Sequence, residues 1–216
     1  MFEVVFLTIS PEPIHDEFNE MLSLVSPEKR ERIKKFHFFE DARNCLMGDV
    51  LSRIEICRVT GLKNRQLEFS VNDFGKPFLV TNQNVHFNIS HAGHYIACVV
   101  ADRAVGIDVE VIKPIDLKIA ERFFASDETI YIMSGEKVLR FYEVWTKKES
   151  HIKWDGKGLH KSLASFSVFD TNKHNQPTYH KILQSDEVIC HCCSLEKETP
   201  SIRFTDTASF MRSIEA

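Results

Sequence analysis

Three acidic residues stand where an unpaired charge is expected to be costly. Asp108 and Glu110 alternate with apolar residues in the segment 105–111, which places both carboxylates on one face of a predicted strand, about 7 Å apart. Glu149 falls within the apolar stripe of a predicted helix. A shared hard cation such as Mg²⁺, which prefers oxygen ligands, would explain all three placements. The alternatives are a strand with one solvated face and an ordinary pair between Glu149 and Lys153.

A second group of polar residues is suited to binding phosphate or ribose. In the segment 86–91, His86, Asn88 and Ser90 share one face of a predicted strand, and His91 begins the following turn. The Ser–His pair is not a hydrolase triad, because neighbours on a strand point apart and the chain has no GxSxG elbow. The alternative is a set of polar residues at a strand end that touches no ligand.

A basic run opens a predicted helix after the capping residue Ser26. Lys29 and Arg32 are three residues apart, so their side chains project together and could clamp a compact phosphate. Such a run is also typical of a solvated helix face. Lys147 and Lys148, further along the chain, could contact an anion, but such a pair is more often a surface feature and is expected there.

The tract Cys190-His191-Cys192-Cys193 contains metal-ligating residue types, but they are closer together than the ligands of a zinc knuckle. On a strand, Cys190 and Cys192 would share a face and be buried as small apolar side chains. The chain has six cysteines, and its apolar start has no basic leader. We therefore expect reduced thiols in the cytoplasm, without a disulfide framework or a secretion signal.

The elements that must position these residues form a mixed pattern. Strands are predicted over 2–9, 85–89, 95–100, 105–111, 163–169, 178–183 and 187–195, and helices from Ser26, over 39–60, from Ser126 and over 136–154, with a turn at 73–77. The last twenty residues are weakly patterned. This order predicts an α+β protein in two halves, residues 1–104 and 105–216.

The overall composition excludes several classes of protein. The 216 residues include 27 basic and 31 acidic side chains, a net charge of −4, which does not suggest a general nucleic-acid binder. No apolar run reaches the roughly 18 residues that a membrane span needs. We expect a globular protein with neither nucleic acid nor membrane as partner.

Four segments in order resemble the motifs of the 4′-phosphopantetheinyl transferases of the long, single-chain, surfactin-synthetase-activating type. They are Phe-Gly-Lys-Pro at 74–77, Phe-Asn-Ile-Ser-His at 87–91, Val-Gly-Ile-Asp-Val-Glu at 105–110, and the stretch from Trp145 to Lys153 followed by Gly-Lys-Gly-Leu at 156–159. The resemblance extends to 26–31 and 48–51 and covers about residues 1–170. This sequence departs from the family's common residues at Arg32, Cys45, Ala92 and Thr146. At Cys45 the departure removes a hydroxyl that often touches the coenzyme.

The resemblance implies two similar α+β halves related by a pseudo-twofold axis, with the active site between them. It implies Mg²⁺-dependent (or Mn²⁺-dependent) transfer of 4′-phosphopantetheine from coenzyme A to a serine of an apo carrier protein. The carrier would belong to a peptide, polyketide or fatty-acid synthase, and adenosine 3′,5′-bisphosphate would be released. The enzyme would be a cytoplasmic monomer of nonribosomal peptide and antibiotic biosynthesis.

The resemblance also implies a role for individual residues. The metal ligands would be Asp108, Glu110 and Glu149, and the catalytic residues Asp108, Glu149 and Lys153. Glu149 or a metal-bound water would take the serine proton, and Lys153 would stabilise or protonate the leaving phosphate. Coenzyme A would be bound by Lys29, Arg32, Gly75, Lys76, Pro77, Ser90, His91, Asp108 and Lys153.

Two other functions stay open at this point. Acidic pairs on strands with a nearby lysine also occur in metal-dependent phosphodiesterases and nucleases, although position 112, where such sites commonly have lysine, is Ile112. A non-catalytic module that binds coenzyme A or a carrier protein would need the phosphate-binding residues but not Glu149 within an apolar stripe.

Overall fold

The computed structural model describes residues 1–10, 15–81, 83–158, 161–170 and 176–215. Leu159, the end of the last motif, lies outside the described residues. The strands are β1 Phe2–Thr8, β2 Phe69–Val71, β3 Pro77–Leu79, β4 His86–Ala92, β5 Tyr95–Ala101, β6 Val105–Val111, β7 Thr178–Gln184, β8 Val188–Ser194 and β9 Ser201–Asp206. The helices are α1 His15–Leu24, α2 Pro27–Ile33, α3 Phe39–Thr60, α4 Lys118–Phe123, α5 Ser126–Met133, α6 Lys137–Asp155 and α7 Thr207–Glu215.

Two larger sheets and one small hairpin organise these strands. The first sheet has the order β4-β5-β1-β9, in which β1 pairs antiparallel with β5 and parallel with β9. The second has the order β6-β8-β7 and is antiparallel throughout. Strands β2 and β3 form a separate hairpin.

Three apolar clusters divide the described part of the molecule into layers. Val5 and Leu7 of β1 pack with α3 on one face of the first sheet. Val4 and Phe6 face the other way, where they pack against β6 and β8 of the second sheet. The third cluster lies among α4, α5 and α6 on the far face of the second sheet. The order is therefore helix, sheet, sheet, helix, as strand alternation requires.

Several helix boundaries predicted from the sequence are confirmed. Ser26 caps α2, and its hydroxyl accepts a hydrogen bond from the Lys29 N–H at 3.2 Å. Helix α3 ends at Thr60, and Gly61 follows with φ of 71°, a left-handed conformation that favours glycine.

The tract at Cys190 is strand β8, in which Cys190 and Cys192 are buried in the cluster between the sheets.

The strand predicted over residues 163–169 is wrong. This segment forms a short 3₁₀ turn, Leu163–Ser165, followed by irregular backbone. The carbonyls of Leu163 and Phe166 each accept a hydrogen bond from Lys148 Nζ at 2.7 Å. The segment therefore packs around the Lys148 ammonium, and none of the sheets in the described part of the chain includes it.

The last, weakly patterned residues of the chain pack on the first sheet. Strand β9 extends that sheet beside β1, and Phe210 of α7 joins the cluster around α3. Arg203 of β9 forms an ion pair with the buried Glu55 of α3. Strand β9 and helix α7 come after residue 104 in the chain but pack on the N-terminal half. The division of the chain at residue 104 therefore stays a prediction. No helix of the described ranges is long and apolar enough to cross a membrane.

His191 on β8 is a buried titratable group that makes the fold sensitive to acid. It is 1% exposed, and its Nδ1 lies 2.8 Å from Thr146 Oγ1. Burial lowers the pKa of His191 to about 3. An unfolded histidine titrates near pH 6.5, so between these values the unfolded chain binds one proton more than the folded chain. Protonation therefore favours unfolding, and stability is lost as the pH falls below about 6.5.

We expect His191→Asn to flatten the acid side of the stability curve. The asparagine amide can take the place of the ring Nδ1 toward Thr146, and it does not titrate. The slope of the free energy of unfolding against pH, measured between pH 4 and 6, should fall by up to about 1.4 kcal/mol per pH unit. Urea titrations at several pH values measure this slope. A slope equal to that of the unchanged protein would contradict the account.

Candidate active site

Strand β6 and helix α6 are in direct backbone contact at Gly106. A Cβ atom at this position would lie 2.1 Å from the carbonyl oxygen of Ser150 and 2.3 Å from the backbone nitrogen of Trp154. Only glycine allows this approach. The face of β6 that carries Asp108 and Glu110 is therefore covered by α6, and the alternative of a solvated face does not hold.

Asp108 and Lys153 form the centre of the site. Asp108 is 3% exposed, and its Oδ1 accepts hydrogen bonds from Lys153 Nζ at 2.6 Å and from Ser90 Oγ at 3.0 Å. Lys153 Nζ also donates to Ser90 Oγ at 2.9 Å. The triangle joins α6, β6 and β4, so residues far apart in sequence hold one another in place. The ion pair of Lys153 is made with Asp108, not with Glu149 as the helix-pair alternative required.

The predicted polar face of β4 is used largely to join the two halves of the protein. Asn88 Oδ1 accepts a hydrogen bond from the Ile107 N–H at 2.9 Å, and Ser90 Oγ accepts one from the Val109 N–H at 3.3 Å. These side chains satisfy backbone groups of β6 that would otherwise lack partners. Ser90 is 7% exposed, and its contact with coenzyme A stays a prediction.

The three carboxylates carry negative charge that their surroundings do not fully compensate. Burial raises the pKa of Asp108 despite the nearby Lys153 ammonium. Burial, and next the charge of Asp108, raise the pKa of Glu110 to about 7. The same two causes raise the pKa of Glu149. An added cation would relieve this repulsion.

The acids fit a divalent cation by their chemistry. Asp108 Oδ2 is buried and has no hydrogen-bond partner among the described residues, although buried polar atoms are nearly always partnered. All three side chains offer carboxylate oxygens, the donor type that Mg²⁺ prefers. Within the described ranges, no group of three or more His, Cys, Asp or Glu side chains is already close enough to hold a metal ion.

A cleft of about 910 Å³ brings together much of the predicted phosphate-binding set. Lys29 and Arg32 of α2 line it on one side, and Gly75 and Pro77 of the β2–β3 turn line it on another. Lys29 Nζ lies 3.0 Å from a carboxylate oxygen of Asp49, which orients the lysine. Arg32 is exposed. A cleft of this size is large enough for a nucleotide cofactor.

His91 of β4 is exposed and lies within electrostatic reach of both Lys29 and Lys153. Partial enclosure of its ring lowers the pKa of His91, and the positive charges of Lys153 and Lys29 lower it further. Both lysines are thus electrostatic neighbours of one imidazole. The position fits the predicted contact with an anionic group that spans the two clusters.

Lys76 is placed differently from the other predicted coenzyme residues. The turn that holds it is confirmed, with Gly75 at φ of 84°. Its ammonium, however, points away from the large cleft and donates to the backbone carbonyls of Val105 at 3.0 Å and Lys153 at 2.5 Å. Any contact of this residue with coenzyme A must therefore use its backbone.

Comparison of this chain with known proteins shows the family to which it belongs. A family model described as 4′-phosphopantetheinyl transferase, N-terminal, matches residues 10–103, and one described as the 4′-phosphopantetheinyl transferase superfamily matches residues 104–208. The protein is 43% identical to the transferase Sfp of Bacillus subtilis over 72% of this chain and 71% of the relative. It is 34% identical to gsp of Aneurinibacillus migulanus over 95% of this chain and 91% of the relative. The chain belongs to the 4′-phosphopantetheinyl transferases.

Membership of this family confirms that the protein is a transferase, as expected, and that it has the expected two-part α+β architecture. In this transferase, Lys29, Arg32, Gly75 and Pro77 meet at one cleft, while Asp108, Ser90 and Lys153 meet at the junction of the two sheets. The individual roles predicted for these residues remain proposals.

Two residues of the transferase were missed by sequence reasoning. Trp145 Nε1 donates to Glu110 Oε1 at 3.2 Å and so orients one of the acids. Lys148 was expected at the surface, but it is fully buried and its Nζ lies 2.8 Å from the buried Glu128. Its spacing from Phe141 and Ile152 follows the apolar stripe, a signal of burial that its charge obscured.

Proposed function

We propose that this protein transfers the 4′-phosphopantetheine group of coenzyme A to a serine hydroxyl of an apo carrier protein. The observation that carries the proposal is the Asp108–Lys153–Ser90 triangle with its unpartnered carboxylate oxygen, next to a basic cleft in a member of this family. The basic side chains of the cleft can bind phosphates, and the triangle places a carboxylate and a lysine ammonium where the reaction would occur.

The serine oxygen attacks the phosphorus atom that carries the pantetheine group. We assign the serine proton to Glu149, whose carboxylate is an electrostatic neighbour of Asp108 and Lys153. A new bond forms between the serine oxygen and phosphorus, and the bond from phosphorus to the bridging oxygen breaks. That oxygen leaves on adenosine 3′,5′-bisphosphate, where Lys153 neutralises the charge that develops.

Asp108, Glu110 and Glu149 are the residues that would hold Mg²⁺ or Mn²⁺. When bound, the cation neutralises charge on the pyrophosphate and its leaving oxygen. Without it, three neighbouring carboxylates would repel the phosphates of the substrate. The raised pKa values of Glu110 and Glu149 support a site that is incomplete without added positive charge.

The large cleft is the proposed binding site of coenzyme A. Lys29 and Arg32, which line the cleft together with Arg53 and Arg65, bind its phosphates, and His91 binds them from beside Lys153. The backbone of residues 75–77 approaches the adenine, and Gly75 leaves space for close contact. The carriers are those of peptide, polyketide or fatty-acid synthases, and a monomer in the cytoplasm carries out the reaction, within nonribosomal peptide or antibiotic biosynthesis.

A product-release assay tests this function and its metal requirement together. Coenzyme A, an apo carrier protein and Mg²⁺ should give adenosine 3′,5′-bisphosphate, and chelation by EDTA should lower the rate at least about 100-fold because the carboxylates then lack their counter-charge. Chromatography of the nucleotides measures the release. Release without a carrier would indicate a phosphodiesterase instead. Binding of coenzyme A without release, on several carriers, would indicate a non-catalytic module.

A further inference from the structure

The β2–β3 hairpin is attached to the end of helix α6 by two side chains. Asn72 Nδ2 donates to the carbonyl of Gly156 at 2.8 Å, and Lys76 Nζ donates to the carbonyl of Lys153 at 2.5 Å. The last carbonyls of a helix have no partner within the helix. The hairpin therefore caps the C-terminus of α6 from outside, where a cation also interacts favourably with the helix dipole.

Lys76 joins this helix end to strand β6 as well. The same Nζ donates to the carbonyl of Val105 at 3.0 Å, at the start of the strand that carries Asp108. Burial lowers the pKa of Lys76 to about 8, which agrees with an ammonium held among backbone groups away from solvent. One side chain of the N-terminal half thus fixes the spacing of α6 and β6.

The contact with Lys153 couples the hairpin to the centre of the site. The main chain of Lys153 is held by Lys76, while its side chain reaches Asp108 and Ser90 at 2.6 and 2.9 Å. A shift of the helix end would move the Lys153 ammonium relative to both partners. The residues on either side of Lys76 in this turn, Gly75 and Pro77, line the large cleft.

We propose that the Lys76 side chain is a positioning residue, which aligns Lys153 for transfer and links that alignment to the hairpin that borders the coenzyme cleft. The inference rests on the proposed transfer from coenzyme A. The neighbours of Lys76 in the turn, Gly75 and Pro77, line the cleft, whereas its ammonium acts on α6. Removing the ammonium should impair the chemical step and leave coenzyme binding largely intact.

Two variants break the contacts in different ways. Lys76→Met keeps the aliphatic stem, buries no charge and removes both hydrogen bonds to carbonyls. Asn72→Asp keeps the oxygen that accepts from the Phe74 and Lys76 N–H groups, and so keeps the turn, but loses the donor to Gly156. Lys157→Met is the matched control, because this lysine at the same helix end is 59% exposed and its ion pair is with Asp155, away from the carbonyls that Lys76 binds.

Steady-state kinetics on an apo carrier, with folding checked by urea titration, test the proposal. We expect Lys76→Met and Asn72→Asp to lower kcat about 10- to 100-fold, the scale of a misplaced catalytic group, while the KM for coenzyme A changes less than about 3-fold. Lys157→Met should keep both values. An unchanged kcat per folded molecule would overturn the inference, as would a KM that rises with kcat intact. No transfer by the unchanged protein and by Lys157→Met would instead overturn the proposed function.

Discussion

Replacing Asp108 by asparagine is expected to lower kcat about 1,000-fold while the protein stays folded. The substitution removes the charge that faces Lys153 and the unpartnered oxygen that fits a cation. A loss of this size corresponds to about 4 kcal/mol of transition-state stabilisation. The fold should be retained, because the amide has the same shape and its oxygen can still accept hydrogen bonds from Lys153 and Ser90, although the ion pair is lost. Kinetics and urea titration of the same preparation measure both effects.

Asp102→Asn is the matched control for this experiment. Asp102 lies shortly before β6, and its carboxylate pairs with the chain's N-terminal ammonium at 2.9 Å and is 40% exposed. Removing a charge there should change kcat less than about twofold, since exposed ion pairs contribute little. If Asp108→Asn kept most of its activity, Asp108 would not be an essential residue and the proposed site would be wrong.

Gly106→Ala is expected to have the largest effect on stability. The new Cβ would lie 2.1 Å from the Ser150 carbonyl and 2.3 Å from the Trp154 nitrogen, both of them backbone atoms that cannot rotate away. Helix α6 would have to move off β6, and with it Glu149 and Lys153. Overpacking of this kind costs about 1–3 kcal/mol and more where backbone is involved, so we expect a loss of at least about 3 kcal/mol and of most activity. Urea unfolding measures the loss.

Gly135→Ala provides a comparison at a second crowded glycine. There the three atoms nearest to the added Cβ belong to the guanidinium end of Arg140, at 2.2–2.5 Å, and that side chain can shift. We expect a cost below about 1 kcal/mol at this position. Equal, small costs for both substitutions would show that α6 does not rest on β6 as closely as described.

The sequence predicted the site best where local periodicity decides which way a side chain points. Alternation on β6 placed Asp108 and Glu110 on one face, and the helical stripe placed Glu149 and Lys153 toward it. Both placements depend on neighbours a few residues away. The structure shows why the face is covered, because Gly106 admits the helix backbone.

The parts that sequence reasoning missed depend on partners distant in the chain. Strand β9 lies beside β1 in a parallel pair, almost two hundred residues apart, and its half-exposed position leaves only a weak apolar pattern. Lys148 is buried because Glu128 and the carbonyls of residues 163 and 166 surround its ammonium. Propensity and periodicity carry no information about such partners.

The side chain of Lys76 illustrates the same limit within the site. Its place in a Gly-Lys-Pro turn suggested contact with the coenzyme, and the turn does border the cleft. The direction of the ammonium, toward α6, depends on how the hairpin packs on the helix end. The motif therefore predicted where Lys76 lies, and the tertiary contacts determine where its ammonium points.

Intact-mass spectrometry of a carrier protein tests the central claim most directly. An apo carrier domain incubated with this protein, coenzyme A and Mg²⁺ should gain the mass of one phosphopantetheine group, and peptide mapping should place it on a single serine. Carriers of both peptide-synthetase and fatty-acid type should be included. No mass gain on any of them, with enzyme that is folded and metal-loaded, would contradict the account.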